Sequence, residues 1–263
     1  MTATLELACT QSGQGEPVIM LHGLYGSGNN WRGIARALEN DYRVLRPDLR
    51  NHGQSPHDPD MDYRSMAADV VALMDASGID RASLIGHSMG GKVAMALALM
   101  HPERLERLMV VDIAPVTYDH SQEHGGIIRA LQAIDLASVK SREDADRQLE
   151  ERITTPMVRQ FLLTNLQRQG DGWSWRIPLD ILADQLPVIQ SWPSALANSW
   201  AGPACFLYGG NSSYVNQAGI AEARQRFPNA QFDCIEGVGH WVHAEAPAAF
   251  IDRIQHFQGN HHG

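Results

Sequence analysis

Short apolar runs alternate with longer stretches of helical periodicity along this chain. After Pro17 come Val18-Ile-Met-Leu21, Tyr42-Arg-Val-Leu45, Ala82-Ser-Leu-Ile85 and Leu108-Met-Val-Val111, each short enough to be a buried strand. Between them the spacing of apolar positions predicts helices over 31–38, 63–77 and 92–100, the last stopped by His101-Pro102. Two later strands, Cys205-Phe-Leu-Tyr208 and Gln231-Phe-Asp-Cys-Ile235, flank a helix over 217–227, and a helix over 247–257 closes the pattern. Strands separated by helices in this way predict an α/β fold, with a mostly parallel sheet flanked by helices.

The stretch from 116 to 200 breaks the rhythm. It lacks strong strands but carries helical periodicity over 127–134, 144–153 and 157–166. A connection this long is rarely structureless, so it is expected to be an inserted helical cap, with the core formed by 1–115 and 201–263. Trp173, Trp175, Trp192 and Trp200 all fall within it. They suit either the lid of an apolar pocket or the small core of the cap itself.

Leu84-Ile-Gly-His-Ser-Met-Gly-Gly91 lies where the third strand gives way to the third helix and places Ser88 in Gly-x-Ser-x-Gly. A serine nucleophile on a sharp strand-to-helix turn needs small neighbours, because side chains at 86 and 90 would collide with nearby backbone. The pattern alone arises by chance in roughly one in ten chains of this length. The strand before it and the helix after it supply the required context. The first N–H groups of that helix carry partial positive charge, so Met89 N–H can face an oxyanion. A second donor is expected from Leu24 in Leu21-His-Gly-Leu-Tyr-Gly-Ser27, where Gly23 lets the backbone turn inward and His22 either orients the loop or packs within it.

A serine hydroxyl is a poor nucleophile at neutral pH and needs a histidine base oriented by a carboxylate. Of twelve histidines, His240 stands out because it follows the last strand in the glycine-rich Glu236-Gly-Val-Gly-His240. His243 is its rival, with capping or surface packing as the alternative role. His87 is expected to point away on the turn, and His52, His57, His101 and His120 to be loop histidines. The loop after the penultimate strand, Tyr208-Gly-Gly-Asn-Ser-Ser-Tyr-Val215, has no carboxylate, and Ser213 occupies the expected acid neighbourhood. A hydroxyl cannot stabilise an imidazolium as a carboxylate does. Asp112 instead follows Leu108-Met-Val-Val111, at the strand end where catalytic groups of open α/β sheets gather, and keeps the order serine, acid, histidine. Its alternative role is capping a turn at Ala114-Pro115. The candidate catalytic residues are therefore Ser88, Asp112 and His240, with Leu24 and Met89 forming the oxyanion hole.

Charge and composition narrow the partners. A formal net charge of −9 without a basic run disfavours nucleic acid or an anionic membrane. Cys9, Cys205 and Cys234 lack metal-type spacing and are expected to be reduced thiols, which fits a cytoplasmic protein. The N-terminus lacks a secretory pattern, and no apolar run reaches membrane-spanning length. Gly23-Leu-Tyr-Gly-Ser-Gly28 lacks the Gly-Lys-Ser/Thr ending of a phosphate loop. No cofactor and no metal are expected.

Together His22-Gly23 with its oxyanion residue, Pro47-Asp-Leu-Arg-Asn-His-Gly-Gln-Ser55, Gly86-His-Ser-Met-Gly90 and Gly239-His240 resemble the α/β-hydrolase superfamily over nearly the whole chain. Gly86-His-Ser-Met-Gly-Gly-Lys92, Val111-Asp-Ile-Ala-Pro115, Gly209-Gly-Asn-Ser-Ser213 and Gly239-His-Trp-Val-His-Ala-Glu245 are similar to the bacterial YbfF-type esterases. The resemblance implies a carboxylesterase for short- to medium-chain acyl esters, with acyl-CoA thioesters as a second class, and an acid after the strand next to the nucleophile. Carbon–carbon bond hydrolysis by the same triad and a small-molecule receptor with little turnover are the competing readings. Epoxide hydrolysis and dehalogenation are disfavoured, because such relatives place an aspartate nucleophile where Ser88 stands.

Overall fold

A computed structural model describes residues 4–119 and 121–259; His120 lies outside them. The chain runs β1 (Cys9–Ser12), β2 (Glu16–Leu21), α1 (Arg32–Leu38), β3 (Tyr42–Pro47), α2 (Tyr63–Ala76), β4 (Ala82–His87), α3 (Met89–Met100) and β5 (Leu105–Val111). An insert follows, with α4 (Ser121–Gln132), α5 (Arg142–Glu150), α6 (Pro156–Leu163), β6 (Leu166–Gln169), β7 (Gly172–Trp175) and α7 (Leu179–Gln190). The chain then completes β8 (Ala204–Gly209), α8 (Gln217–Arg226), β9 (Gln231–Ile235), α9 (Val242–Glu245) and α10 (Pro247–Gly259).

Seven strands form one sheet in the order β1-β3-β2-β4-β5-β8-β9. Only β1 pairs antiparallel with its neighbour; every other pairing is parallel. The parallel arrangement brings the carboxyl ends of β2, β4, β5, β8 and β9 to one edge, where ligands of open α/β sheets bind. Successive side chains of a strand point to opposite faces. In β2, Val18 and Met20 pack with Trp31, Leu38, Phe250 and Ile254, whereas Ile19 and Leu21 pack with Met66, Val70, Val93 and Leu97. Each such side chain contributes about 1.5–3 kcal/mol of burial free energy. The central strand β4 is buried over its whole length, and α3 from Met89 through Leu99.

Several elements escaped the apolar pattern. β1 is an exposed edge strand of polar residues, held by its ladder to β3 rather than by a buried face. The β6–β7 hairpin lies in the stretch expected to lack strong strands; β6 is polar after Leu166, and β7, Gly-Trp-Ser-Trp, is too short to stand out. Helix α7 contains Pro187, a residue that normally marks a helix boundary. Helix α4 begins well before the predicted 127 and runs through Gly125-Gly126. α3 likewise begins at Met89 rather than 92, taking Gly90 and Gly91 into its first turn. Among the described residues no helix is long and apolar enough to cross a membrane.

The loops after β2 and β3 are locked together by buried polar groups. His22 Nδ1 donates to Gly23 O at 2.8 Å, and its Nε2 accepts from Leu49 N–H at 2.9 Å. His52 is buried rather than an ordinary loop residue: Nδ1 donates to Arg50 O at 2.9 Å, and Nε2 accepts from Tyr25 N–H at 3.1 Å. Each ring uses one nitrogen as donor and the other as acceptor, a division that only neutral imidazole allows. Burial agrees, pushing His22 down to about 4 and His52 to about 3 from the usual 6.5. Beside them the buried Arg50 guanidinium makes a two-point contact with buried Asp69, Nε to Oδ2 at 2.7 Å and Nη2 to Oδ1 at 2.9 Å.

Removing the Asp69 carboxylate would leave the buried guanidinium with only Asp58, at 3.7 Å, as a carboxylate partner, so Asp69→Ala is expected to cost about 3 kcal/mol, read as a lower urea midpoint. Below about pH 6.5 the unfolded chain takes up protons that His22 and His52 refuse until about pH 3–4, so stability falls as pH drops through that window. The urea midpoint should therefore decline between about pH 6.5 and pH 4, and decline less in His52→Gln, which can still accept a hydrogen bond but does not titrate. A midpoint that is flat over this range would contradict the neutral, buried state of the two rings.

Candidate active site

Ser88 occupies the turn between β4 and α3 with φ +52° and ψ −118°. A non-glycine residue in this region stores about 1–3 kcal/mol of strain and needs surroundings that hold it in place. Ser88 N–H donates to Val111 O at 3.0 Å, and Ser88 O accepts from Lys92 N–H at 3.1 Å. The flanking glycines are required by close approach. A Cβ on Gly86 would lie 2.3 Å from Gly90 O, and one on Gly90 would lie 2.4 Å from Leu21 O.

Asp112 follows β5, is fully buried and has φ +51°. Its carboxylate does not cap the turn at Ala114-Pro115. Oδ1 accepts from Gly209 N–H at 3.1 Å, while Oδ2 accepts from the Ser212 hydroxyl and lies 2.6 Å from His240 Nδ1. A carboxylate can only accept here, so Nδ1 carries the proton and Nε2 is left for chemistry. Two further contacts fix the imidazole: Tyr214 stacks on it at 4.0 Å between centroids, and His87 Nε2–H donates to His240 O at 2.9 Å. Ser212, not Ser213, makes the contact with the acid. The serine pair after two glycines was visible in the sequence, but the choice between its members depends on the turn.

Ser88 lies where two cavities meet. The larger, of about 150 Å³, is lined by Ser88, His240, Leu24 and Trp241, with Ile127, Val158 and Phe161 from the insert. The smaller, of about 40 Å³, is lined by Ser88, Leu24, Met89, Lys92, Ile113, Tyr118 and Ile189. Leu24 and Met89, the expected oxyanion donors, thus border the same space as Ser88. Lys92 is buried, donates to Gln190 O at 3.0 Å and Ser191 O at 2.7 Å, and is pushed down to about 7 by burial. Among the described residues no group of three or more His, Cys, Asp or Glu is arranged to hold a metal ion.

Several expectations change here. Of the two roles open to the insert's four tryptophans, lining the larger cavity is not what they do; they are buried or half-buried in an apolar cluster that runs from the core into the insert, and Trp31 and Trp241 line the cavity. His243 is buried rather than superficial, 4.6 Å from the Trp31 ring and 4.7 Å from the His87 ring, and burial pushes it down to about 4. His87 does not point away: it lines the larger cavity 4.7 Å from the His240 ring. His57 reaches across to the insert, its Nε2 donating to Arg176 O at 3.0 Å.

The family model described as alpha/beta hydrolase fold matches residues 16–247. The chain is 42% identical over 246 residues to the mouse sn-1-specific diacylglycerol lipase ABHD11, covering 91% of this chain and 80% of the mouse protein. It is 41% identical over 241 residues to Esterase YbfF of Escherichia coli (strain K12), covering 92% of each. A solved marine microorganism esterase is similar at a TM-score of 0.94 and 40% identity, covering 97% of this chain and 100% of that one. With its mostly parallel sheet, its strained serine turn and these relatives, the chain belongs to the α/β-hydrolase fold family.

Proposed function

We propose that this protein is a serine carboxylesterase acting on short- to medium-chain acyl esters, with acyl-CoA thioesters open to the same chemistry. The observation that carries this reading is that Ser88 and His240 line one cavity, while His240 Nδ1 lies 2.6 Å from a fully buried carboxylate. The largely apolar lining suits an acyl ester, and relatives named esterase and diacylglycerol lipase support the class. Residues 116–200 act as a cap on the core formed by 1–115 and 201–263, supplying Ile127, Val158 and Phe161 to the cavity wall.

In this mechanism Ser88 Oγ attacks the acyl carbon and passes its proton to His240 Nε2. Asp112 holds the imidazole in the tautomer that can accept at Nε2 and stabilises the imidazolium. The N–H groups of Leu24 and Met89 receive the oxyanion. Collapse of the tetrahedral intermediate breaks the bond to the alcohol or thiol, which leaves with the proton from His240. Water, deprotonated by the same imidazole, then cleaves the acyl-enzyme and restores the serine.

Hydrolysis of p-nitrophenyl esters from acetyl to palmitoyl tests the assignment, with circular dichroism confirming that each variant is folded. Ser88→Ala should reduce turnover by a factor of about 10⁴ or more, and retained turnover would move the nucleophile elsewhere. Asp112→Asn should lose about 10³–10⁴ in kcat, because an amide favours the wrong imidazole tautomer. Ser212→Ala removes one charge-assisted hydrogen bond worth about 1.5 kcal/mol and should lower kcat about tenfold. An unchanged kcat would mean that Ser212 does not position the acid.

A further inference from the structure

The two cavities at Ser88 differ in a way that assigns the two halves of the substrate. In the tetrahedral intermediate the leaving oxygen must face the imidazole that protonates it, and the acyl substituent must point elsewhere. His240 lines the larger cavity and not the smaller. The larger cavity also continues outward. It shares Asn30, Phe161, Trp241 and His243 with an apolar groove of about 350 Å³. That groove ends at Met157, whose side chain is half exposed and is the large apolar residue left at the surface among the described residues. An exposed apolar side chain at the mouth of a groove suits an aliphatic ligand.

The smaller cavity is short. Its 40 Å³ gives room for about three water-sized groups. Ile189, on the last turn of α7, forms part of its wall, and groups from the core and from the start of the insert hold that turn. The Tyr63 hydroxyl donates to Ile189 O, Lys92 Nζ donates to Gln190 O and Ser191 O, and Tyr118 N–H donates to Gln190 O at 3.0 Å. Moving that turn outward to widen the cavity would break these bonds, among them the buried one to Ile189 O.

The geometry points to a substrate whose acyl half is short, acetyl to butyryl, and whose alcohol half is a longer apolar chain lying past Phe161 and Trp241 toward Met157. This rests on the serine esterase reading above and fixes which half of the ester each cavity takes. The bond order is that reading's own: the ester C–O bond breaks, the short acyl group passes to Ser88 Oγ, and the long alcohol leaves along the groove with the proton from His240.

Two ester series distinguish the halves: alkyl acetates from ethyl to decyl, and ethyl esters from acetate to decanoate, followed by pH-stat titration with Ser88→Ala as the blank. For the wild type, kcat/KM should rise about threefold per methylene along the alcohols and fall about tenfold or more beyond butyrate along the acids. Ile189→Ala should raise the ratio of ethyl hexanoate to ethyl acetate turnover about tenfold, and Phe161→Ala should lower the ratio of hexyl acetate to ethyl acetate. Ser88-dependent turnover that favours long acids over long alcohols overturns this assignment while leaving the esterase reading intact. Absence of Ser88-dependent turnover in both series overturns the esterase reading and this assignment with it.

Discussion

Backbone meets backbone at the end of β4 with no space for a side chain, and the site is arranged around that contact. Gly90 in the first turn of α3 lies against Leu21 O of β2, and Gly86 lies against Gly90 O, so a methyl group at either position would sit inside a neighbouring carbonyl. At this crossing Ser88 adopts positive φ, and its turn lies beside the loop that contains Leu24. The strain is local and small beside the burial of β4 and α3, each packed on all sides. The geometry of the Ser88 turn is therefore maintained by the most deeply buried part of the fold.

Around the turn, polar groups divide between holding shape and carrying charge. His22 and His52 are kept neutral by burial and by hydrogen bonds that use both ring nitrogens, so they act as rigid struts for the loops after β2 and β3. His87 and His243 are also held neutral by burial and pack beside His240. Only His240 among these five meets a carboxylate, and the three donors converging on Asp112 allow that charge to exist in a fully buried place.

The insert is fastened unevenly. Tyr63 and Lys92 of the core bind carbonyls at the end of α7, and the Tyr25 hydroxyl donates to His124 O of α4 at 3.4 Å, whereas α6 gives the larger cavity apolar side chains, Val158, Phe161 and Leu162. A surface made of dispersion contacts adapts more readily than one made of buried hydrogen bonds.

What the sequence by itself determined follows from short-range patterning. Val18 to Leu21 and Leu108 to Val111 read as buried strands because apolar runs of that length suit the middle of a parallel sheet, and the glycines around Ser88 announced a turn that no larger residue could make. The reading of Asp112 began from the absence of a carboxylate after β8, also a local fact. Only the tertiary structure decided which of Ser212 and Ser213 meets that acid, that His243 packs against Trp31, and that Phe161 and Trp241 line the cavity while the insert's tryptophans do not. It also revealed β1, the β6–β7 hairpin and α7, elements whose polar faces or internal proline hide them from periodicity. The physical reason is the same in each case: strand, turn and helix propensities act over a few residues, whereas the direction a side chain faces depends on what packs beside it from far along the chain.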